Sequence, residues 1–108
     1  MNLHELSETL GLDEADVMDL VDLFLDTCED DIVKVEKGIE LGDHQMVADA
    51  AHSIKGASGN MRFDAIYTLA KHIEDNARAH ELGQTPERLA GIRKELEQIT
   101  SDLKTSQA

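Results

Sequence analysis

Residues 89–103 read LAGIRKELEQITSDL, and their apolar side chains recur at steps of three and four residues: Leu89, Ile92, Leu96, Ile99 and Leu103. This spacing places the five side chains along one face of an α-helix and is typical of the seam of a helical bundle. Thr85 and Pro86 suit the N-cap and the first position of that helix. The stretch therefore predicts an all-α fold, and no segment of the chain shows the alternating pattern of a convincing β-strand.

The segments nearer the N-terminus follow the same helical period. A short helix is predicted for Leu3 to Leu10, and Asp13 suits the N-cap of the next segment. That segment is predicted as one long helix, or as two helices bent near residues 28–31, and Gly42 suits its end. Its apolar residues are spaced for a single helix face: Val17, Leu20, Val21, Phe24, Cys28, Ile32, Val35 and Ile39.

Two more helices are predicted between Gly42 and Thr85, joined by a turn near residues 60–63. Asp43 suits the N-cap of the first helix, and Gly83 lies at or just beyond the end of the second. Their predicted inner faces carry Met46, Val47, Ala50, Ala51, Ile54 and Met61, and then Ile66, Leu69, Ala70, Ile73 and Ala77. Because short connections favour antiparallel neighbours, we expect an antiparallel up-down four-helix bundle with an additional N-terminal helix. We expect a single domain over residues 1–108, with its core at about 12–103.

Composition narrows the possible partners and the expected location. The net charge of −13 repels phosphate backbones, and three aromatic residues offer little stacking surface, so nucleic acid is not an expected partner. No apolar run approaches the ~20 residues of a membrane span. The first residues lack the pattern of a signal peptide, and the only cysteine, Cys28, is expected to be a buried packing residue. These features favour a cytoplasmic protein, and the start at Met1 favours a standalone chain.

One histidine has an unusual neighbourhood in the stretch AHSIKGASGN, residues 51–60. If the stretch is helical, His52, Lys55, Gly56 and Gly59 share one face. Glycine inside a helix costs about 1 kcal/mol relative to alanine, so two glycines on this face suggest that something approaches closely. In the alternative interpretation the helix stops at Gly56 and residues 56–59 form a loop. Ala57 and the helical spacing of the apolar residues favour a continuous helix.

Other candidate sites have weaker support. The remaining histidines are expected to be solvated and structural: His4, His44, His72 and His80. The pair Asp49 and His52 has the spacing of a bundle metal motif but no second copy, so we expect neither a metal nor a cofactor. Ser53 and Ser58 lie near His52, but nothing in the sequence orients the imidazole as a base for a hydrolase.

An exposed, unassisted imidazole suits phosphoryl transfer. Its nitrogen is a good nucleophile near neutral pH and can accept a phosphoryl group and release it again. The reaction depends on positioning and charge stabilisation, much of which a partner supplies with its own Mg²⁺. His52 would provide the nitrogen, Lys55 a nearby cation, and Gly56 with Gly59 a bare surface for docking.

The residues around His52 resemble the histidine-containing phosphotransfer (HPt) domain family. The run HSIKGAS at residues 52–58 resembles the family's His-x-(Leu/Ile)-Lys-Gly-(Ser/Ala)-(Ser/Ala) pattern, and LAKHIE at residues 69–74 resembles the pattern of its next helix. The Phe24-Leu25 segment and the turn at residues 41–43 are also similar. The resemblance covers about residues 12–103 and implies the helical bundle.

The resemblance implies that His52 is the phosphoryl acceptor, that Lys55 stabilises the phosphohistidine and that Gly56 lets a partner come close. The implied partners are receiver domains of response regulators or hybrid histidine kinases, and the implied role is a phosphorelay carrier without kinase activity of its own. We expect a monomer. The alternative is an interaction module that binds a receiver or another protein without carrying phosphate, although such a module need keep neither His52 nor Lys55.

The chain departs from the family pattern after Asn60 and Met61. The family often has Gly-Ala at this point, whereas this chain has Arg62-Phe63. A left-handed Arg62 would cost on the order of 1 kcal/mol, so we expect the turn to differ. Arg62 also adds a cation beyond Gly59, where we expect it to contact the partner.

Overall fold

Five α-helices make up the computed structural model, which describes the backbone of residues 1–107 and the side chains of residues 1–103. They are α1 (Leu3–Leu10), α2 (Glu14–Leu41), α3 (His44–Asn60), α4 (Asp64–Arg78) and α5 (Thr85–Gln107). The described backbone contains no β-strand, which confirms the predicted all-α class. None of the helices in this part of the chain is both long and apolar enough to cross a membrane.

Local capping explains where the first three helices begin and end. Asn2, Asp13 and Asp43 each accept a hydrogen bond from the backbone N–H three residues later, as predicted for the two aspartates. Helix α2 runs without a break through residues 28–31, so the two-helix alternative is wrong. It ends at Gly42, whose φ of 65° is left-handed and carries no steric penalty at glycine.

The helices pack in chain order and close into a ring. Helix α2 contacts α3, α3 contacts α4, α4 contacts α5, and α5 returns to α2, while α1 packs on α2 and α5. This is the predicted up-down four-helix bundle with an added N-terminal helix. Its interior is formed by fully buried aliphatic side chains, each contributing about 1.5–3 kcal/mol by leaving water. The largest of them are Leu6, Ile32, Ile54, Ile66, Ile73 and Ile92.

Three details of the predicted helices need correction. Leu20 is 38% exposed and does not belong to the inner face of α2, because Val17 and Val21 occupy the buried positions there. Thr85 is the first residue of α5 rather than its N-cap, and its hydroxyl is buried without a hydrogen-bond partner among the described residues. Helix α4 ends at Arg78, so Gly83 lies in the connection beyond it.

Cys28 is buried in the core as predicted. Burial, together with the charges of Asp31 and Glu29, raises the pKa of its thiol to about 12. A thiol that stays protonated in an apolar environment is a poor nucleophile, which fits a packing role.

The turn between α3 and α4 keeps the geometry that glycine usually supplies, and our expectation that it differs is wrong. Arg62 has a left-handed φ of 63°. The N–H of Phe63 donates to the Ser58 carbonyl at 2.9 Å, and that of Arg62 donates to the Gly59 carbonyl at 3.2 Å. Phe63 is buried, and its ring meets Phe24 edge-on with centroids 5.1 Å apart. Such a pair contributes about 0.5–1.5 kcal/mol, which is similar in size to the roughly 1–2 kcal/mol of strain at a left-handed residue such as Arg62.

Candidate functional site

Helix α3 continues through both glycines to Asn60, so the interpretation of residues 56–59 as a loop is wrong. Ser58, within this stretch, is buried and donates its hydroxyl proton to the carbonyls of Ile54 and Lys55. The continuous helix places His52, Lys55, Gly56 and Gly59 on one face, as the spacing predicts. His52 follows the fully buried Ala51, and its own side chain is 63% exposed. It therefore lies at the edge of the core, open to a partner.

A buried carboxylate on the neighbouring helix holds the imidazole. Glu74 lies on α4, with its side chain only 6% exposed, and its Oε2 is 2.9 Å from His52 Nδ1. The expectation that nothing orients the imidazole is therefore wrong. Glu74 follows the buried Ile73, so a carboxylate at the edge of an inner helix face was the available signal.

Glu74 also binds two cations. Lys55 Nζ lies 2.7 Å from Oε1, and Arg78 Nη2 donates to Oε2 at 2.8 Å. Lys55 comes from the turn of α3 after His52, whereas Arg78 lies one turn after Glu74 on α4. The resulting cluster of His52, Lys55, Glu74 and Arg78 joins the two helices. The sequence pattern indicated a role for His52 and Lys55 but none for Glu74 and Arg78.

The ionised carboxylate of the cluster determines which nitrogen of the imidazole carries a hydrogen. Burial raises the pKa of the Glu74 carboxyl, but hydrogen bonds from Lys55, Arg78 and His52 outweigh burial and lower that pKa from 4.5 to about 2. The hydrogen bond to Glu74 in turn raises the pKa of Lys55. Glu74 is therefore ionised at neutral pH and can only accept hydrogen bonds, so Nδ1 of His52 is the donor. In the neutral ring this leaves Nε2 unprotonated, with a free lone pair.

The lowered pKa of Glu74 predicts a loss of stability in acid. Because this pKa is lower in the folded chain than its ordinary value, the ionised carboxylate stabilises the fold above about pH 4.5. That contribution disappears as the pH falls from about 4.5 toward about 2. Chemical denaturation at about pH 6 and about pH 3 measures the loss. Glu74→Gln is expected to reduce it, whereas the exposed neighbour Asp75→Asn leaves it nearly unchanged. Equal losses in the two variants would contradict the prediction.

The two glycines of the site have different surroundings. A Cβ added at Gly56 would meet no atom within 4 Å, so this position is open to solvent. A Cβ added at Gly59 would lie 3.3 Å from the ring of Tyr67. Gly59 therefore makes room for Tyr67, which is 39% exposed, rather than leaving the surface bare.

Arg62 is not part of the cluster. It lies at the end of α3, ten residues and about 15 Å along the helix from His52. There it lines a cavity together with Met1, Glu95 and Asp102. The structure thus separates Arg62 from the phosphoryl-transfer candidates, while its side chain remains exposed.

The remaining histidines lie outside this cluster. His4 is exposed and lies 3.1 Å from Glu8, and His72 is exposed on α4. His44 and His80 stack with ring centroids 4.4 Å apart at the far end of the α3–α4 pair. Within residues 1–103, no group of three or more potential ligand side chains is arranged to hold a metal ion.

Comparison with known proteins agrees with this arrangement. The model of the Hpt domain family matches residues 19–102, and the chain therefore belongs to this family. Among solved structures, the chain is similar to histidine-containing phosphotransfer protein B (HptB) from Pseudomonas aeruginosa PAO1, with a TM-score of 0.69 and 30% sequence identity. The match covers 88% of this chain and 80% of HptB. No curated protein matches the chain.

Membership of the family defines the class of protein. The chain is a histidine phosphotransfer domain of two-component signalling, which is a carrier class rather than a kinase class. The resemblance derived from residues 52–58 and 69–74 is thereby confirmed.

Proposed function

We propose that the chain is a phosphorelay carrier that takes a phosphoryl group on His52 and exchanges it with aspartates of receiver domains. The observation that carries this proposal is the bond between Nδ1 of His52 and the ionised Glu74, which leaves Nε2 as the exposed nucleophile. Phosphoryl transfer depends mainly on positioning and charge stabilisation, and the cluster supplies both. The test is transfer of label from a phosphorylated receiver domain.

The transfer step needs no base to remove a proton. The lone pair of Nε2 forms the N–P bond while the P–O bond of the partner's aspartyl phosphate breaks, and the aspartate leaves as a carboxylate with the electron pair. Nδ1 keeps its hydrogen, so the phosphorylated ring is positively charged. Glu74 faces that charge at 2.9 Å and stabilises it. The reverse reaction delivers the phosphoryl group to another receiver.

Lys55 is the proposed cation for the phosphoryl oxygens. Lys55 lies one helical turn from His52, its side chain is 23% exposed, and its ammonium group has one carboxylate oxygen as its partner. A lysine ammonium has three hydrogens to donate, so it can bind Glu74 and a phosphoryl oxygen together. We propose no cofactor for this chain, because Mg²⁺ would come with the partner.

The distribution of charge favours docking on the α3–α4 face. Residues 44–80 contain four acidic and four basic side chains and have no net charge, so the whole net charge of −13 falls on the rest of the chain. The acidic members are Asp49, Asp64, Glu74 and Asp75, and the basic members are Lys55, Arg62, Lys71 and Arg78. A receiver presents its acidic phosphorylation site to the chain, and this face repels it least.

The proposed docking surface consists of His52, Gly56, Tyr67 and the backbone at Gly59. Gly56 is open, and Tyr67 offers a partly exposed aromatic ring of the kind enriched in protein interfaces. Arg62 lies farther along α3, where it would contact the periphery of a partner and affect which receiver binds. We propose that the chain acts as a monomer with a receiver as its partner.

Substituting Gly56 is expected to block docking. Gly56→Leu would place a bulky side chain on the open surface beside His52, so transfer from a receiver is expected to fall by roughly tenfold or more, while Gly56→Ala has a smaller effect. Helix stability should not fall, since glycine is the poorer helix former by about 1 kcal/mol. Transfer kinetics and thermal unfolding measure the two effects. Wild-type transfer rates in Gly56→Leu would show that the partner does not approach this position.

A further inference from the structure

Arg78 occupies a position for which neither the sequence pattern nor the family match assigns a role. Its Nη2 and the Nδ1 of His52 bind the same oxygen of Glu74, at 2.8 and 2.9 Å. Two donors on one oxygen must lie close together, so the guanidinium group is a near neighbour of the imidazole. Its side chain is 51% exposed, which leaves it free to reorient.

The cluster carries a net positive charge before any phosphoryl group arrives. Glu74 is one negative charge, and Lys55 and Arg78 are two positive charges. In the resting state the Glu74 carboxylate already binds both cations, because one of its oxygens contacts Lys55 and the other contacts Arg78. Asp75 also acts on Lys55 from outside the cluster, so it is the two cations within the cluster, in a chain of net charge −13, that are suited to an incoming anion.

We infer that Arg78 is a second phosphoryl-binding residue, whose guanidinium group also donates to a phosphoryl oxygen once His52 is phosphorylated. This inference rests on the proposed function. An arginine guanidinium presents five N–H donors in a plane that matches the oxygens of a phosphoryl group, so it can hold one oxygen while keeping a contact to Glu74. Lys55 would hold the phosphoryl group from α3, and Arg78 from α4.

The experiment measures the acidity of the phosphoryl group itself. Phosphoramidate is a small donor that phosphorylates histidine without any partner: the Nε2–P bond forms, the P–N bond of the donor breaks, and ammonia leaves. ³¹P NMR titration of the phosphorylated protein then gives the acid dissociation constant of the phosphoryl group. Nearby cations favour its dianion, so loss of Arg78 in Arg78→Ala should lower this constant by about tenfold. Lys55→Ala is expected to have a similar effect.

Two further variants separate a direct contact from positioning through Glu74. Arg78→Gln retains a neutral donor for Glu74, whereas Arg78→Lys retains the charge. If Arg78 binds the phosphoryl group, the acid dissociation constant of Arg78→Lys is close to the wild-type value, and that of Arg78→Gln is not. Arg88→Ala is the matched control, because Arg88 is a half-buried arginine of α5 that contacts Gln84 and carries the same charge. It is expected to leave the constant unchanged.

Each outcome has a definite meaning. The inference would be overturned, and the proposed function left intact, if Arg78→Ala kept the wild-type acid dissociation constant. The same holds if Arg78→Gln restored that constant and Arg78→Lys did not. If phosphoramidate modified His52 neither in the wild type nor in any of the variants, the proposed function would be overturned and the inference with it.

Discussion

Replacing His52 with glutamine is expected to abolish phosphoryl acceptance. Glutamine has no nucleophilic nitrogen, and the other four histidines lie outside the cluster of Lys55, Glu74 and Arg78, so none can substitute. The variant is incubated with a phosphorylated receiver domain, and label on the carrier is followed over time. Wild-type label should be lost in acid and retained in base, as a P–N bond requires.

The fold is expected to survive this substitution. His52 is largely exposed, and the amide of glutamine can still donate a hydrogen bond toward Glu74, so the free energy of unfolding is expected to change by about 1 kcal/mol or less. Circular dichroism and thermal unfolding of His52→Gln should therefore match the wild type. His72→Gln, an exposed histidine on α4, is the matched control and should accept label at the wild-type rate. Persistent labelling of His52→Gln would show that another residue is the acceptor.

The helices were predictable because each is specified locally. Asp13 and Asp43 cap helices whose apolar residues keep one period, and those features need no knowledge of the neighbouring helices. The predictions fail where contacts with residues distant in the sequence determine the local conformation. Arg62 adopts the left-handed conformation because Phe63 is buried against Phe24, thirty-nine positions earlier in the sequence. A single residue's preference does not report such a contact.

The same difference between local and distant contacts explains which residues of the site could be predicted. His52, Lys55 and the glycines lie within eight residues, so helical spacing alone places them on one face. Glu74 is 22 residues from His52, and their contact depends on how α3 and α4 pack. The pattern at residues 69–74 marked Glu74 as part of the family resemblance without a role. The sequence did not indicate a role for Arg78, one turn after Glu74, because i,i+4 acid–base pairs are common on exposed helix faces.

Replacing Glu74 with glutamine is expected to slow phosphorylation of His52 by between about 10- and 100-fold. A carboxylate serves three donors with two equivalent oxygens, whereas an amide has one oxygen and one NH₂ group. If the amide oxygen accepts from His52 and Arg78, the amide NH₂ group faces the ammonium group of Lys55. In the opposite orientation, the NH₂ group faces Nδ1 of His52. Either way the positive charge of the phosphorylated ring loses its counter-charge. A hydrogen bond to a charged group is worth about 1.5–3 kcal/mol, which sets the expected range.

The matched control for this substitution is Asp75→Asn. It lies on the same helix, is exposed and removes the same charge, and it acts on Lys55 only through its charge, so it reproduces the electrostatic change without removing a hydrogen bond of the cluster. Labelling by phosphoramidate and transfer from a receiver should both slow in Glu74→Gln and remain near wild-type in Asp75→Asn. A slowing confined to the receiver reaction would show that Glu74 acts on docking rather than on the imidazole.

The lifetime of the phosphohistidine provides an independent readout of Glu74. Hydrolysis and transfer both proceed more easily from the positively charged phosphoimidazole, because a neutral imidazole is then the leaving group. Loss of Glu74 makes that charged form less stable, so phosphohistidine in Glu74→Gln should form slowly and, once formed, persist longer at neutral pH. Loss of Arg78 or Lys55 acts on the phosphoryl oxygens instead and should change their acidity. A shorter lifetime in Glu74→Gln would contradict the role of Glu74 as the counter-charge of the phosphorylated ring, and would indicate that its main task is to hold Lys55 and Arg78 in place.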